Sequence, residues 1–322
     1  MAGASSTPLV SVIVPTYNGG KFIDLAIQSV LGQTLEDFEL MVVDDGSTDD
    51  TLRRVQAYGD PRMRVLPRSH QGAPAALNEG VKAARGVLVG LLDQDDSWRA
   101  TKLEQHARCF EKHAEADVTF SWSRLIDEQG REMALHTQHW RGAVGFGKLL
   151  EDYVVGNTSS IVLRRSALES AGGFDTGLPR CHDLDLLLRI ARQRADNIRA
   201  VPEELTLYRR HPGQMSRDWA GMRREWETLL AKYRRLAPEE MAAVEPRARS
   251  NMSRYFACLA YEGGEYGPAW EFVTEALRAA PGAFWVDPRN WKVAAAVMAG
   301  RVLPGAVHRA LERLAGIERD PA

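Results

Sequence analysis

The sequence predicts an α/β chain: a mostly parallel, doubly wound sheet flanked by helices, followed by a helical carboxyl-terminal subdomain. Three observations carry that expectation. Short apolar runs alternate with helix-spaced segments in the order β-α-β-α-β-α-β, which implies right-handed crossovers and parallel strands. Several runs end in polar clusters: Thr16, Tyr17 and Asn18; Asp44, Asp45, Gly46 and Ser47; Asp93, Gln94, Asp95 and Asp96. After Arg217 the strand signals fade and helical spacing takes over.

Residues 9–14 read as the first strand, with Pro15 ending it because proline has no N–H for a ladder. A loop follows, then a helix over 22–31 whose Phe22, Leu25, Ala26, Ser29 and Val30 have helical spacing. Residues 38–43 form the second strand, and the turn after Asp44 supplies capping residues for a helix over 51–58. A short strand over 63–66 precedes an alanine-rich helix over 73–85, stopped by Gly86. The uncharged run 86–92 is then a strand buried on both faces that leads straight into three carboxylates. Past Asp117, strands are expected over 118–122, over 158–163 and from 205, with 138–147 irregular. Short helices begin near Ser166 and Asp183. In the last third, helices are expected over 219–236, 239–262 and 268–279, and a further amphipathic segment over 291–314. One tetratricopeptide-like helix pair is suggested there, but no period repeats.

The chain has 322 residues, 44% hydrophobic and 26% charged, with a net charge of -2, so nothing electrostatic argues for nucleic acid as a partner. Its three cysteines, Cys109, Cys181 and Cys258, are too widely spaced for a metal knuckle and fit a reducing compartment. The opening residues lack the pattern of a secretory signal, and no apolar run approaches the ~20 residues a spanning helix needs. A cytoplasmic location is expected. The apolar residues of 291–314, interleaved with Lys292, Arg301, Arg309 and Arg313, suit either a packed helical subdomain or peripheral contact with the inner face of a membrane.

Open α/β sheets hold ligands beyond the carboxyl ends of their strands, where all three polar clusters fall. Asp93, Asp95 and Asp96 would repel one another there unless a cation or hydrogen-bond donors shared the site. Hard oxygen ligands without cysteine suit Mg²⁺ or Mn²⁺, while the alternative is a solvated turn before the next helix. A nucleotide fits the same edge, with its base near Asp44, ribose near Asp93 and diphosphate on the metal. Asp183 falls in the first turn of its helix, either as an N-terminal cap or as a reactive carboxylate. His211 is either a further metal ligand or a loop histidine.

Taken together and in order, these segments resemble the family 2 glycosyltransferases over roughly residues 8–214. Residues 11–18, 39–49, Gly72 with 77–80, Asp93-Gln94-Asp95, Gly172-Gly173-Phe174-Asp175 with His182-Asp183, and 208–216 carry the resemblance. It implies a Rossmann-like GT-A fold, with a catalytic domain over 1–216 (nucleotide half 8–116, acceptor half 117–216) and a helical subdomain over 217–322. The implied activity is inverting, metal-dependent sugar transfer from a nucleotide-diphosphate donor, UDP favoured, to a glycan or lipid-linked acceptor. Asp183 would be the general base, and Asp95 with His211 would hold Mn²⁺ or Mg²⁺. Pro15, Thr16, Tyr17, Asn18, Asp44, Asp45, Asn78, Asp93, Gln94, Asp95 and His211 would line the donor site. Trp98, Gly173, Phe174 and His182 would face the acceptor. Arg209 or Arg210 would assist the diphosphate. The base motif is usually Glu-Asp in this family, and His182-Asp183 departs from it. Two alternatives stand beside this reading: a haloacid-dehalogenase-type phosphatase, whose Asp-x-Asp also follows a central strand, and a non-catalytic sugar-nucleotide-binding protein.

Overall fold

The computed structural model describes residues 7–303. They form two compact units: the residues up to Leu149 with Tyr153–Arg210, and Leu150–Asp152 with the chain from His211 onward.

In the first unit β1 (Val10–Thr16), β2 (Phe38–Asp44), β3 (Met63–Pro67) and β4 (Leu88–Leu91) alternate with α1 (Ile23–Leu31), α2 (Thr51–Gln56) and α3 (Ala73–Ala83). These strands pair in parallel, as the alternation requires. β1 and β2 are buried along their whole length, the signature of strands covered on both faces. Pro15 stays inside β1 rather than ending it, because the β4 ladder has already stopped at Ile13 opposite Leu91. α3 lies so close to β1 that a Cβ on Gly80 would come within 2.5 Å of Ile13 Cγ2.

The second half of this unit contributes β5 (Ser97–Trp98), α4 (Lys102–Lys112), β6 (Val118–Ile126), β7 (Glu132–His136) and α5 (Phe146–Asp152), whose last three residues belong to the helical unit. β8 (Ile161–Arg164), α6 (Arg165–Ser170), α7 (His182–Ala191) and β9 (Ile198–Arg209) complete it. The sheet runs β3-β2-β1-β4-β8-β6-β9-β5, with β7 attached to β6. β8 lies antiparallel between β4 and β6, so the sheet is parallel in its first half and mixed overall. Direction is invisible in an apolar run, which reads the same either way. Residues 158–160, expected to open a strand, instead make a 3₁₀ turn, and β9 starts at Ile198, well before the expected 205. β7 carries almost no buried side chain and therefore no strand signal.

The second unit contains α8 (Trp219–Leu236), α9 (Pro238–Glu262), α10 (Tyr266–Ala279), α11 (Pro281–Val286) and α12 (Pro288–Val302). Trp226, Leu230, Tyr233, Phe256, Ala260, Phe272 and Ala276 are buried in its core. Asp218 caps α8 by accepting from the Gly221 N–H at 2.9 Å. Pro281 opens α11, where its missing N–H costs nothing. The expected segment 291–314 is described only to Leu303; Arg309 and Arg313 lie outside the described residues. Among the described residues, no helix is long and apolar enough to cross a membrane.

Candidate active site

The strand-end loops of the first unit are tied to one another by side chains the sequence had singled out. Thr16 Oγ1 donates to Gln94 Oε1 at 2.6 Å, and the Tyr17 N–H donates to the same oxygen at 3.0 Å. Gln94 Nε2 returns a bond to the Tyr17 carbonyl at 3.2 Å. Gln94 thus clamps the loop after β1 to the turn after β4. Asn18, in the left-handed region at φ 49°, bridges to the loop after β2: its N–H donates to Ser47 Oγ, and its Oδ1 accepts from the Thr48 N–H at 2.8 Å.

Asp44 and Asp45 are both buried but differently engaged. The Asp45 carboxylate accepts from the Gln71 N–H at 3.0 Å and the Gly72 N–H at 2.7 Å, and pairs with His70 at 2.9 Å. It organises the loop before α3. Asp44 Oδ2 accepts a 3.3 Å bond from the Ser47 N–H, while its Oδ1 is buried with no partner among the described residues. A buried acceptor left unpaired costs on the order of 1–3 kcal/mol, so Asp44 Oδ1 is poised for an incoming donor. Tyr17 stacks on His70 at 4.1 Å beside it.

The turn after β4 concentrates negative charge. The Asp93 carboxyl is pushed up to about 8, first by burial and then by the charges of Asp95 and Asp183. Asp96 is likewise raised well above the usual carboxylate range by burial, Asp95 and Asp93. Asp96 Oδ1 accepts from the Arg209 N–H at 2.8 Å, and its Oδ2 is buried without a partner among the described residues. Arg209 is 1% exposed and donates to the carbonyls of Asp95, Asp127 and Glu128. It braces the turn from beneath, so an Arg209 reaching out to a diphosphate is not what the fold builds.

Asp183 enters from α7. Cys181, not Asp183, occupies the N-cap position. Asp183 Oδ2 accepts from the Tyr153 hydroxyl and from Thr158 Oγ1 at 3.4 Å, while Oδ1 takes the Leu184 N–H at 2.7 Å. Burial and the Asp183 charge push the Tyr153 hydroxyl well above its ordinary value, so it stays a donor. Next to Asp183, His182 Nδ1 donates to the Pro179 carbonyl at 2.9 Å, which leaves the lone pair on Nε2. That nitrogen is buried and without a partner among the described residues. Asn78 holds the adjacent loop, accepting from the Phe174 N–H at 2.8 Å and donating to the Phe174 carbonyl at 2.9 Å. Gly173, at φ 75°, leaves no space for a Cβ, which would sit 2.7 Å from Asn78 Oδ1.

Comparison with known proteins fits this arrangement. The glycosyl transferase family 2 model matches residues 11–171. An Escherichia coli UDP-Glc:α-D-GlcNAc-diphosphoundecaprenol β-1,3-glucosyltransferase is 30% identical over 230 residues, covering 69% of this chain and 85% of that protein. The chain belongs to glycosyl transferase family 2. Its enzyme class is therefore glycosyltransferase, and the phosphatase alternative falls. Among solved structures, Staphylococcus aureus TarS 1–349 in complex with UDP-GlcNAc is similar at 21% identity and TM-score 0.60, covering 94% of this chain and 90% of that one. The mannosyltransferase PcManGT from Pyrobaculum calidifontis, in complex with GDP-Man and Mn²⁺, is similar at 18% identity and TM-score 0.55, covering 98% and 89%. These likenesses establish the GT-A fold.

For this family 2 chain, the structure gathers Thr16, Tyr17, Asn18, Asp44, Gln94, Asp93 and Asp95 at one sheet edge, with Asp183 within electrostatic reach of Asp93. Trp98 is a correction: expected at the acceptor, it is 4% exposed, donates from Nε1 to the Ser159 carbonyl, and belongs to the core. Phe174 is also buried, at 3%. His211 lies in the helical unit, where its N–H meets Gln214 Oε1 at 3.3 Å. Sequence reasoning missed Tyr153, Thr158 and Ser159, whose Oγ accepts from the Asp93 N–H at 3.0 Å. A lone tyrosine after a weak helix and a Thr-Ser-Ser run give no signal until α7 folds against them.

Proposed function

We propose that this enzyme moves a sugar from a nucleotide-diphosphate donor, UDP-linked, to a hydroxyl of a glycan or lipid-linked acceptor with inversion, and that Asp183 is the general base. The observation that carries this reading is the approach of Asp183, from the acceptor half, to Asp93 of the donor half. A base so placed takes a proton from a hydroxyl attacking opposite the departing nucleotide, worth typically ~10²–10⁴-fold. The Tyr153 and Thr158 hydroxyls aim that carboxylate. Asp44 Oδ1 would accept from the nucleobase, with the Tyr17–His70 stack beside it. The unpaired Nε2 of His182 would contact an acceptor hydroxyl at the position where the family usually places a carboxylate.

The oxygen-rich turn, with Asp93 and Asp96 raised first by burial and then by neighbouring carboxylates, Asp95 among them, fits a divalent cation. Asp95 would hold Mn²⁺ or Mg²⁺, which when bound supplies charge neutralisation to the leaving diphosphate. Asp93 would hold the ribose. The named neighbours support the donor class: one carries UDP-GlcNAc, another GDP-Man with Mn²⁺. A lipid-linked acceptor agrees with the diphosphoundecaprenol-linked substrate in the E. coli relative's name. It also agrees with the exposed Trp285, Val286, Trp291, Met298 and Val302 of the helical unit, which suit the interface of a membrane.

The test is a thermal-shift titration with UDP, GDP and other nucleotide diphosphates, with and without Mn²⁺, on the wild type, Asp95→Ala and Asp183→Asn. Ligand at ~100 Kd adds ~2.7 kcal/mol of stability. A metal-dependent shift with UDP, lost in Asp95→Ala but kept in Asp183→Asn, is the expected pattern. No metal-dependent shift with any nucleotide would refute the mechanism.

A further inference from the structure

A second cluster of metal-ligating side chains is contributed by the end of β7, the segment after it and β9, the two strands that both pair with β6. One ring nitrogen each from His136 and His139 and one carboxylate oxygen of Glu204 lie within 4.8 Å of one another. We propose that these three residues form a binding site for a zinc-class divalent cation, distinct from the donor-site metal and independent of the transferase reading.

The surroundings are those of an oriented ligand set. His136 Nδ1 meets the Thr137 carbonyl at 2.8 Å. A carbonyl only accepts, so Nδ1 carries the proton and Nε2 presents its lone pair, the arrangement by which outer partners fix ligating histidines. Glu204 is anchored through Oε2 by Arg124, at 2.7 Å, which leaves Oε1 to face His139 Nε2 at 3.1 Å. Without an ion His139 Nε2 donates its proton to that oxygen; a cation would displace the proton, and because tetrahedral zinc with ~2.0–2.1 Å bonds sets its ligand atoms roughly 3.3 Å apart, the pair already spans one edge. His139 is held between rings, stacked on Trp122 at 4.0 Å and on His136 at 4.1 Å. His136 is exposed at the end of its strand and stacked on His139, and a change of its rotamer would close the remaining edges.

The backbone is adapted to the same spot. The β6–β9 ladder shifts register on both sides of Trp122, whose partner across the ladder is Glu204. Such irregularities re-aim side chains. Two imidazoles and one carboxylate favour zinc over Mg²⁺ or Mn²⁺, and leave a fourth position for water. A bound ion would pin the segment after β7 to β9. Thr137, between the two histidines, accepts from the Ser123 N–H at 2.8 Å and packs against Gly156. Gly156 lies between Tyr153 and Thr158, the residues that hold Asp183.

The experiment strips the full chain with EDTA and titrates Zn²⁺ against a chromophoric chelator, in wild type, His136→Ala, His139→Ala and Asp95→Ala, without nucleotide. Co²⁺ absorption spectra report the geometry. One equivalent of zinc bound by the wild type and by Asp95→Ala, weakened at least ~10-fold by either histidine substitution, with tetrahedral Co²⁺ bands, is the expected result. Circular dichroism of the metal-free variants confirms that both fold. Zinc binding that is absent from the wild type, unchanged in both histidine variants, or lost in Asp95→Ala would overturn the proposal.

Discussion

Neutralising Asp93 should change how stability depends on pH. The Asp93 carboxyl stands at about 8 in the folded chain, against an ordinary value of 3.8. Between those values the folded state holds a proton that the unfolded state has released. The unfolded state therefore binds fewer protons, and stability falls as pH rises through this window, by about 1.4 kcal/mol per pH unit for one group. Asp96 is raised as well and adds a slope of the same sign. In Asp93→Asn the Asp93 share disappears. From pH 5 to pH 7, the metal-free wild type should lose roughly 3 kcal/mol through Asp93 alone, and Asp93→Asn should lose correspondingly less. Urea unfolding at half-unit pH steps, with the chain free of divalent ions, measures both slopes. Equal slopes for the two proteins would refute the reasoning, since Asp93 would then be ionised in the fold.

Other expectations follow from single contacts. Tyr153→Phe removes one of the two hydroxyls holding Asp183 and should lower kcat by roughly 10-fold with little change in donor KM; an unchanged kcat would separate Tyr153 from the base. Asp44→Ala removes the unpaired acceptor proposed for the base and should weaken UDP binding about 10-fold in calorimetry, with the fold intact by circular dichroism. Gly173→Ala forces a side chain into φ 75° and onto Asn78 Oδ1, and should destabilise by ~1–3 kcal/mol in urea unfolding; a smaller loss would mean the loop yields.

The parallel half of the sheet and its polar strand ends were legible because each depends on local patterns: apolar runs, glycine stops and capping residues. The segment of α7 bearing Asp183 was legible for the same reason, since Leu184, Leu187 and Leu188 repeat at helical spacing and are buried. Roles were less legible than positions. Gln94, Asn78 and Asp45 look like ligand-binding side chains in the sequence, and the fold also engages them in clamping loops through contacts between segments far apart in the chain. Trp98 differs in position as well: the resemblance placed it facing the acceptor, but its ring fills the core.

By itself, then, the sequence determined the alternation of elements, the edge at which chemistry-bearing residues collect, and the helical character of the last third. Tertiary structure alone decided that β8 runs antiparallel between β4 and β6, that Asp183 reaches Asp93, and that Tyr153 and Thr158 hold it. Periodicity reports which face of an element is buried, a property of neighbours in the chain. Strand direction, and the meeting of groups many residues apart, depend on which partner that face is buried against, and no local pattern records it.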